Sequence, residues 1–292
     1  MKLVFIHGRS QAGKDPDDLC RIWQEALDVG LDTQGLASIA DVEVAFPYYG
    51  DVLADMVKRL RIESPSPDVL TKGVSTFDDK TTLVQYEMLS EILGEKQLDD
   101  PAEQAVHKGA QNSLLALAVA RLLDASPFGD SLLRAVTEDV AVYLTNRAVS
   151  NAVNAIVKQA IGTQPCVVVA HSLGSVIAYR VLREMGAQAN VKKFVTLGSP
   201  LGLSAVRNRL IPPVLAHPEG VNTWINAYDV RDVVSLYPLD RTTWDIDPPV
   251  ININTVANHM DNRHGISGYL DNPSVAREIH ESLRDQSELN NV

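Results

Sequence analysis

Cys166-Val167-Val168-Val169-Ala170-His171-Ser172-Leu173-Gly174-Ser175 is an apolar run that stops at a serine set between small residues. Val167 to Val169 are β-branched without polar alternation, as in a strand buried on both faces. Val176, Ile177, Tyr179, Arg180 and Leu182 then continue at helical spacing. Ser172 therefore stands at a strand-to-helix junction. A turn this tight strains the serine backbone and requires small neighbours two residues before and after it, which Ala170 and Gly174 supply. Such a turn lifts the hydroxyl above the sheet, and the helix behind it offers free N–H groups, first that of Leu173, to a developing oxyanion. A serine that merely caps the helix is the competing reading of the same residues.

The stretch resembles the nucleophile elbow of the α/β-hydrolase superfamily, with Ala170 at the first small position of G-x-S-x-G and Gly174 at the stricter second one. Working back from it, Leu3 to Ile6 is a first strand that runs into His7-Gly8-Arg9-Ser10-Gln11-Ala12-Gly13-Lys14-Asp15. Gly8 and Gly13-Lys14 have the spacing of a phosphate-cradling loop. Asp15, however, occupies the position that needs a Mg²⁺-binding hydroxyl and would repel phosphate. Asp15, Pro16 and Asp18 instead read as a helix start, and the helix over 16 to 29 ends near Gly30. In the hydrolase resemblance, Ile6-His7-Gly8 corresponds to the H-G turn whose following N–H, that of Arg9, is the second oxyanion donor. The Arg9 side chain beside this turn either steers an anionic substrate or is a solvated residue or half of a surface ion pair. A second strand spans Val42 to Phe46, and Tyr48 and Tyr49 after it are candidates for a pocket wall or for plain packing.

Between residues 61 and 128 the alternation of strands and helices breaks. A Ser, Pro, Asp and Thr-rich loop precedes a helical stripe at Leu83, Tyr86, Leu89, Ile92 and Leu93, stopped by Gly94. Beyond Pro101, Leu114 to Ala120 is apolar all round yet too short to span a bilayer, so it has to be buried. Residues 61–128 thus read as a helical insertion, a cap or lid candidate, and residues 1–60 and 129–292 as the core. Ser131 to Ile161 is one long helix or two in series, stopped by Gly162. Asp139-Val140 with Tyr143-Leu144 resembles a pattern of bacterial lipase-like hydrolases.

Forward of the elbow, Phe194 to Leu197 is a strand followed by Gly198-Ser199-Pro200-Leu201-Gly202, which resembles the wall beside the nucleophile in lipases. Strands over Thr223 to Tyr228 and Val250 to Ile253 come next, and a helix over 274 to 284 follows Pro273. Asp229 and Asp232 lie past the first of these strands, and His259 and His264 past the second. Asp229 suits an Asx-turn, whereas Asp232-x-Val234 resembles the acid position of lipases. His264-Gly265-x-x-x-Tyr269 resembles their histidine-bearing loop. Asp232 and His264 are preferred, with Asp229 and His259 as the alternatives.

Six strands separated by helices predict an α/β fold, a mostly parallel sheet with helices on both faces. The chain's 292 residues, 45% hydrophobic, suffice for such a core and its insertion. A net charge of -11 disfavours nucleic acid and anionic membrane surfaces as partners. Two distant cysteines, Cys20 and Cys166, imply neither a disulfide framework nor a metal site. No stretch has the length of a signal-peptide core or a membrane span, so a cytoplasmic enzyme with no transmembrane segment is expected. The resemblance implies a serine hydrolase of the lipase or esterase type, acting on a lipid or other acyl ester without cofactor or metal. Its triad would be Ser172, Asp232 and His264, and its oxyanion donors Arg9 and Leu173. His7, Gly8 and Leu117 would bind substrate. An amidase or an acyltransferase would use the same parts, and a catalytically silent hydrolase-like binding or scaffold protein is the alternative of another class.

Overall fold

The first strand, β1 (Lys2–Ile6), sends Leu3 and Phe5 to one side and Val4 and Ile6 to the other, all fully buried. That alternation without a polar face places β1 inside a sheet covered twice. The computed structural model describes residues 1–9, 11–61, 77–94, 116, 118–120, 123, 130–210 and 214–284. Their strands are β1, β2 (Val44–Ala45), β3 (Cys166–His171), β4 (Val191–Leu197), β5 (Val221–Ala227) and β6 (Ile251–Ile253). They form one six-stranded sheet in the order β2-β1-β3-β4-β5-β6, and every pairing is parallel. In register, Val4 lies beside Val168, Val168 beside Phe194 and Phe194 beside Trp224, so one apolar row crosses the middle of the sheet.

Helices cover both faces. On one, α1 (Pro16–Asp32), α8 (Ser267–Leu270) and α9 (Pro273–Arg284) bury Trp23, Leu27, Leu31, Tyr269, Val275 and Ile279 against Leu3, Phe5, Val167 and Val169. On the other lie α2 (Gly50–Leu60), α3 (Asp79–Leu93), α4 (Asp130–Thr145), α5 (Arg147–Ile161) and α6 (Leu173–Met185). They pack Leu53, Met88, Val140, Val153 and Ile177 against Val4, Val168 and Phe194. A short α7 (Ser204–Arg207) is tied to α3 by the Glu91 carboxylate, which accepts from the Ser204 N–H and hydroxyl. The expected α/β class is the observed one.

Several boundaries move. The second strand keeps only two of its five expected residues, and the last starts at Ile251, both being edge strands with a single neighbour. Helix α1 runs past Gly30 to Asp32; a Cβ at Gly30 would come within 2.7 Å of the Ala276 Cβ, so this glycine lets α1 close on α9 rather than ending a helix. The span from Ser131 to Ile161 is two helices, broken at Asn146, whose side chain accepts from the N–H groups of Ala148 and Val149 and caps α5. Helix α2, which begins at Gly50, has no counterpart in the sequence reading, where no element is assigned after Pro47-Tyr48-Tyr49. Of the apolar stretch 114–120, Ala116, Val119 and Ala120 are helical and buried in the α2–α6 core. Leu117 and most of the insertion lie outside the described residues.

Candidate active site

Ser172 joins β3 to α6 at φ 54 and ψ -128, and it is the only non-glycine residue with positive φ among the described residues. Such a conformation costs about 1–3 kcal/mol and persists only where its surroundings enforce it. They do so here through backbone and packing. The Ser172 N–H donates to the Leu197 carbonyl (3.0 Å), and its own carbonyl accepts from the Ser175 hydroxyl (2.6 Å). A Cβ on Gly174 would fall 2.4 Å from the Ile6 carbonyl oxygen, so only glycine lets α6 begin this close to the end of β1. The Ser172 side chain does not cap α6. Instead, its hydroxyl lies 2.8 Å from His264 Nε2.

His264 Nδ1–H donates to Asp232 Oδ2 at 2.8 Å, which leaves Nε2 as the acceptor facing Ser172. All three side chains are buried. Asp232 lies in the turn after β5 and also accepts from the Tyr269 hydroxyl (2.6 Å) and the Val234 N–H (3.0 Å). Burial alone would raise its pKa, yet His264, Tyr269 and Val234 outweigh that and hold it below the ordinary carboxylate range. Gly198, at φ 53, closes this corner; a Cβ there would be 3.1 Å from Asp232 Oδ2 and 3.2 Å from His264 Nδ1. The G-S-P-x-G segment therefore packs on the acid and the histidine, with Ser199 sharing a hydrogen bond with Ser175 (2.6 Å). Asp229 makes the expected Asx-turn to the Arg231 N–H and binds the Arg231 guanidinium. His259 is 64% exposed and faces Asp271, so neither alternative belongs to the hydrogen-bonded line.

The turn after β1 sits against the serine. A Cβ on Gly8 would be 3.0 Å from Ser172 Cβ. Among the described residues, the N–H groups of Arg9 and Leu173 have no acceptor. His7 clamps the turn, its Nδ1–H donating to the Gly8 carbonyl (2.6 Å) and its Nε2 accepting from the Tyr49 N–H (3.2 Å). The Tyr49 hydroxyl donates back to the His7 carbonyl, and the two rings stack at 3.9 Å. Burial lowers the His7 pKa to about 4, so the ring is neutral, as those two bonds require. Both ring nitrogens are thus spent on backbone. A cleft of about 200 Å³ opens beside the turn, lined among others by His7, Gly8, Arg9, Leu53, Arg61 and Asp139. Arg9 Nε donates to Asp139 Oδ2 (3.1 Å), so its charge is already met by a carboxylate. Burial raises the Asp139 pKa, with Arg9 pulling the other way. Farther along, the Gly13 N–H bonds Asp51 (2.7 Å), Lys14 bonds Gln11 and Asp15 caps α1, so a carboxylate occupies the place where a phosphate loop would hold its anion.

The sequence-derived Ser172, Asp232 and His264 come together, with Leu173 next in the chain and Gly8 against Ser172, while His7, Gly8 and Arg9 line a cleft whose walls include none of the three; Leu117 lies outside the described residues. Two further contacts, of Arg9 with Asp139 and of Asp232 with Tyr269, were not foreseen. Asp139 and Tyr269 make them only through tertiary packing, although both stand in segments singled out for their likeness to lipases. Comparison with protein-family models, with curated proteins and with solved structures finds no match. Among the described residues no cluster of His, Cys, Asp or Glu is placed to hold a metal ion, and no helix is long and apolar enough to cross a membrane.

Proposed function

We propose that the chain is a serine hydrolase of the α/β-hydrolase type, cleaving a carboxylic ester through an acyl-enzyme. The observation that carries this is the unbroken line from Ser172 Oγ to His264 Nε2 and from His264 Nδ1 to Asp232, 2.8 Å at each step, set on a strained turn. His264 takes the proton of Ser172 as its oxygen attacks the ester carbonyl. The N–H groups of Arg9 and Leu173, free of protein acceptors among the described residues, receive the oxyanion. His264 then protonates the departing alcohol, and water, activated by the same imidazole, releases the acid. Asp232 fixes the Nε2-accepting tautomer and stabilises the imidazolium.

An amidase or acyltransferase runs on the same groups and differs in the leaving group or the acceptor. A silent binding protein is the alternative of another class, and the buried carboxylate–imidazole–hydroxyl line argues against it, because binding alone does not call for such a line. The test is a panel of acyl esters of graded chain length with wild type and Ser172→Ala, together with mass spectrometry after fluorophosphonate treatment. Turnover lost in Ser172→Ala and an adduct on Ser172 are expected. An unmodified Ser172 in folded protein, under conditions that label a control hydrolase, overturns the reading.

A further inference from the structure

His171 lies outside the hydrogen-bonded line yet borders every part of it. It ends β3, one residue before Ser172, and is buried. Its Nε2–H donates to the backbone carbonyl of His264 at 2.9 Å, and the two imidazole rings lie 4.7 Å apart, tilted by 36°. On its other side a Cβ on Gly8 would be 3.1 Å from His171 Nδ1, so the turn bearing the Arg9 N–H passes over that nitrogen. Trp23 and Tyr269 complete the enclosure.

The loop that carries His264 has other ties, but they run elsewhere. The His264 N–H donates to Asn262 and the Asn258 side chain donates to the Gly265 carbonyl, both within the loop, while the Asn258 N–H reaches Asp229 beyond β5. None of these reaches the strand that carries the serine. The Asp232 bond orients the ring of His264 but leaves the backbone beneath it unanchored to β3.

We infer that His171 is a positioning residue: its Nε2–H ties the His264 loop to β3 and so sets the distance between base and nucleophile. This rests on the hydrolase reading for its catalytic consequence. Burial, and His264 beside it, lower the His171 pKa to about 3, so it stays neutral and does not repel the imidazolium that His264 becomes. The charged or titratable groups around the ring pair are Asp232, His7 and Tyr269.

Two amides separate the hydrogen bond from bulk. The amide nitrogen of Gln stands as many bonds from Cα as histidine Nε2, whereas that of Asn matches Nδ1 and points at Gly8 rather than at the His264 carbonyl. His171→Asn should lower kcat about ten- to a hundredfold, the scale of a misplaced catalytic group, with KM nearly unchanged and a displaced acidic limb of the pH–rate profile. His171→Gln should recover most of kcat and the wild-type profile. Wild-type kcat and profile in His171→Asn, or equal damage in both variants, overturns the inference. If wild type itself turns over no ester and takes up no fluorophosphonate, the hydrolase reading fails separately. The positioning is then read by NMR in Ser172→Ala, from the His264 Nδ1–H proton shared with Asp232. Its resonance should move on adding His171→Asn and return with His171→Gln; an identical resonance in all three refutes the tie.

Discussion

At Ser172 the backbone conformation and the chemistry require each other. A side chain at φ 54 is unfavourable anywhere, and here it aims the hydroxyl at His264 instead of at the first N–H groups of α6. Two glycines make that possible, in different ways. Gly174 allows backbone to meet backbone, so Gly174→Ala should lower stability by about 1–3 kcal/mol or more, as overpacking does, and be visible as a drop in the denaturation midpoint. Gly198 faces side chains of the site, so Gly198→Ala should cost less in stability and more in turnover. The reverse ranking would count against both assignments. Within the triad, Ser172→Ala and His264→Ala should each remove nearly all ester turnover, and the double variant should be hardly slower, because these groups act as a unit. Asp232→Asn should keep the fold while losing most activity through the wrong imidazole tautomer. Full turnover in His264→Ala, with the loss appearing in His259→Ala, would move the base elsewhere.

Among the elements, the break between α4 and α5 falls at Asn146. Asn146 supplies the cap of α5, and Asn146→Ala should cost about 1 kcal/mol, read from urea unfolding, with the ester kcat of the folded fraction unaffected. What the sequence disclosed at this level follows the reach of its signals. β3, covered on both faces, announced itself by an unbroken run of β-branched residues, and the order serine, acid, histidine came from the hydrolase resemblance, with candidates after the strands it calls for. β2 and β6 were overdrawn because apolar composition does not say where an edge strand loses its neighbour. Helix α2 was not assigned, and the glycine that opens it serves close approach to the Gln11–Ala12 backbone. Asp232 was separable from Asp229 only by resemblance, since both have turn-forming positions. The Arg9–Asp139 pair and the His171–His264 tie join residues far apart in the chain, and no local pattern encodes such pairs.

For the molecule as a whole, buried neutral histidines make stability depend on pH. The folded-state pKa of His7 is about 4, against 6.5 for the ordinary group. Between these values the unfolded chain binds a proton that the folded chain refuses, so the His7 contribution is complete above 6.5 and declines as pH falls toward 4. Asp139 and Glu138, whose pKa values are raised by burial, act in the opposite sense, so the effect of His7 is best isolated by difference. The gap in thermal midpoint between wild type and His7→Gln should narrow on going from about pH 7 to about pH 5. Parallel curves across that range would show that His7 is not the group responsible.

The sheet order carries a last consequence, for how the chain assembles. β1 is an interior strand, yet its long partner is β3, and residues 7–165 separate the two. Its other neighbour, β2, offers only two paired residues. During synthesis β1 therefore waits for its long partner until residues 166–171 have been made, and until then its apolar side chains have only β2 and α1 to lie against. Such long-range parallel pairing is slow and leaves sticky intermediates. Refolding from denaturant should accordingly lose yield steeply as protein concentration rises, and a chaperone that shields the unpaired β1 should restore it.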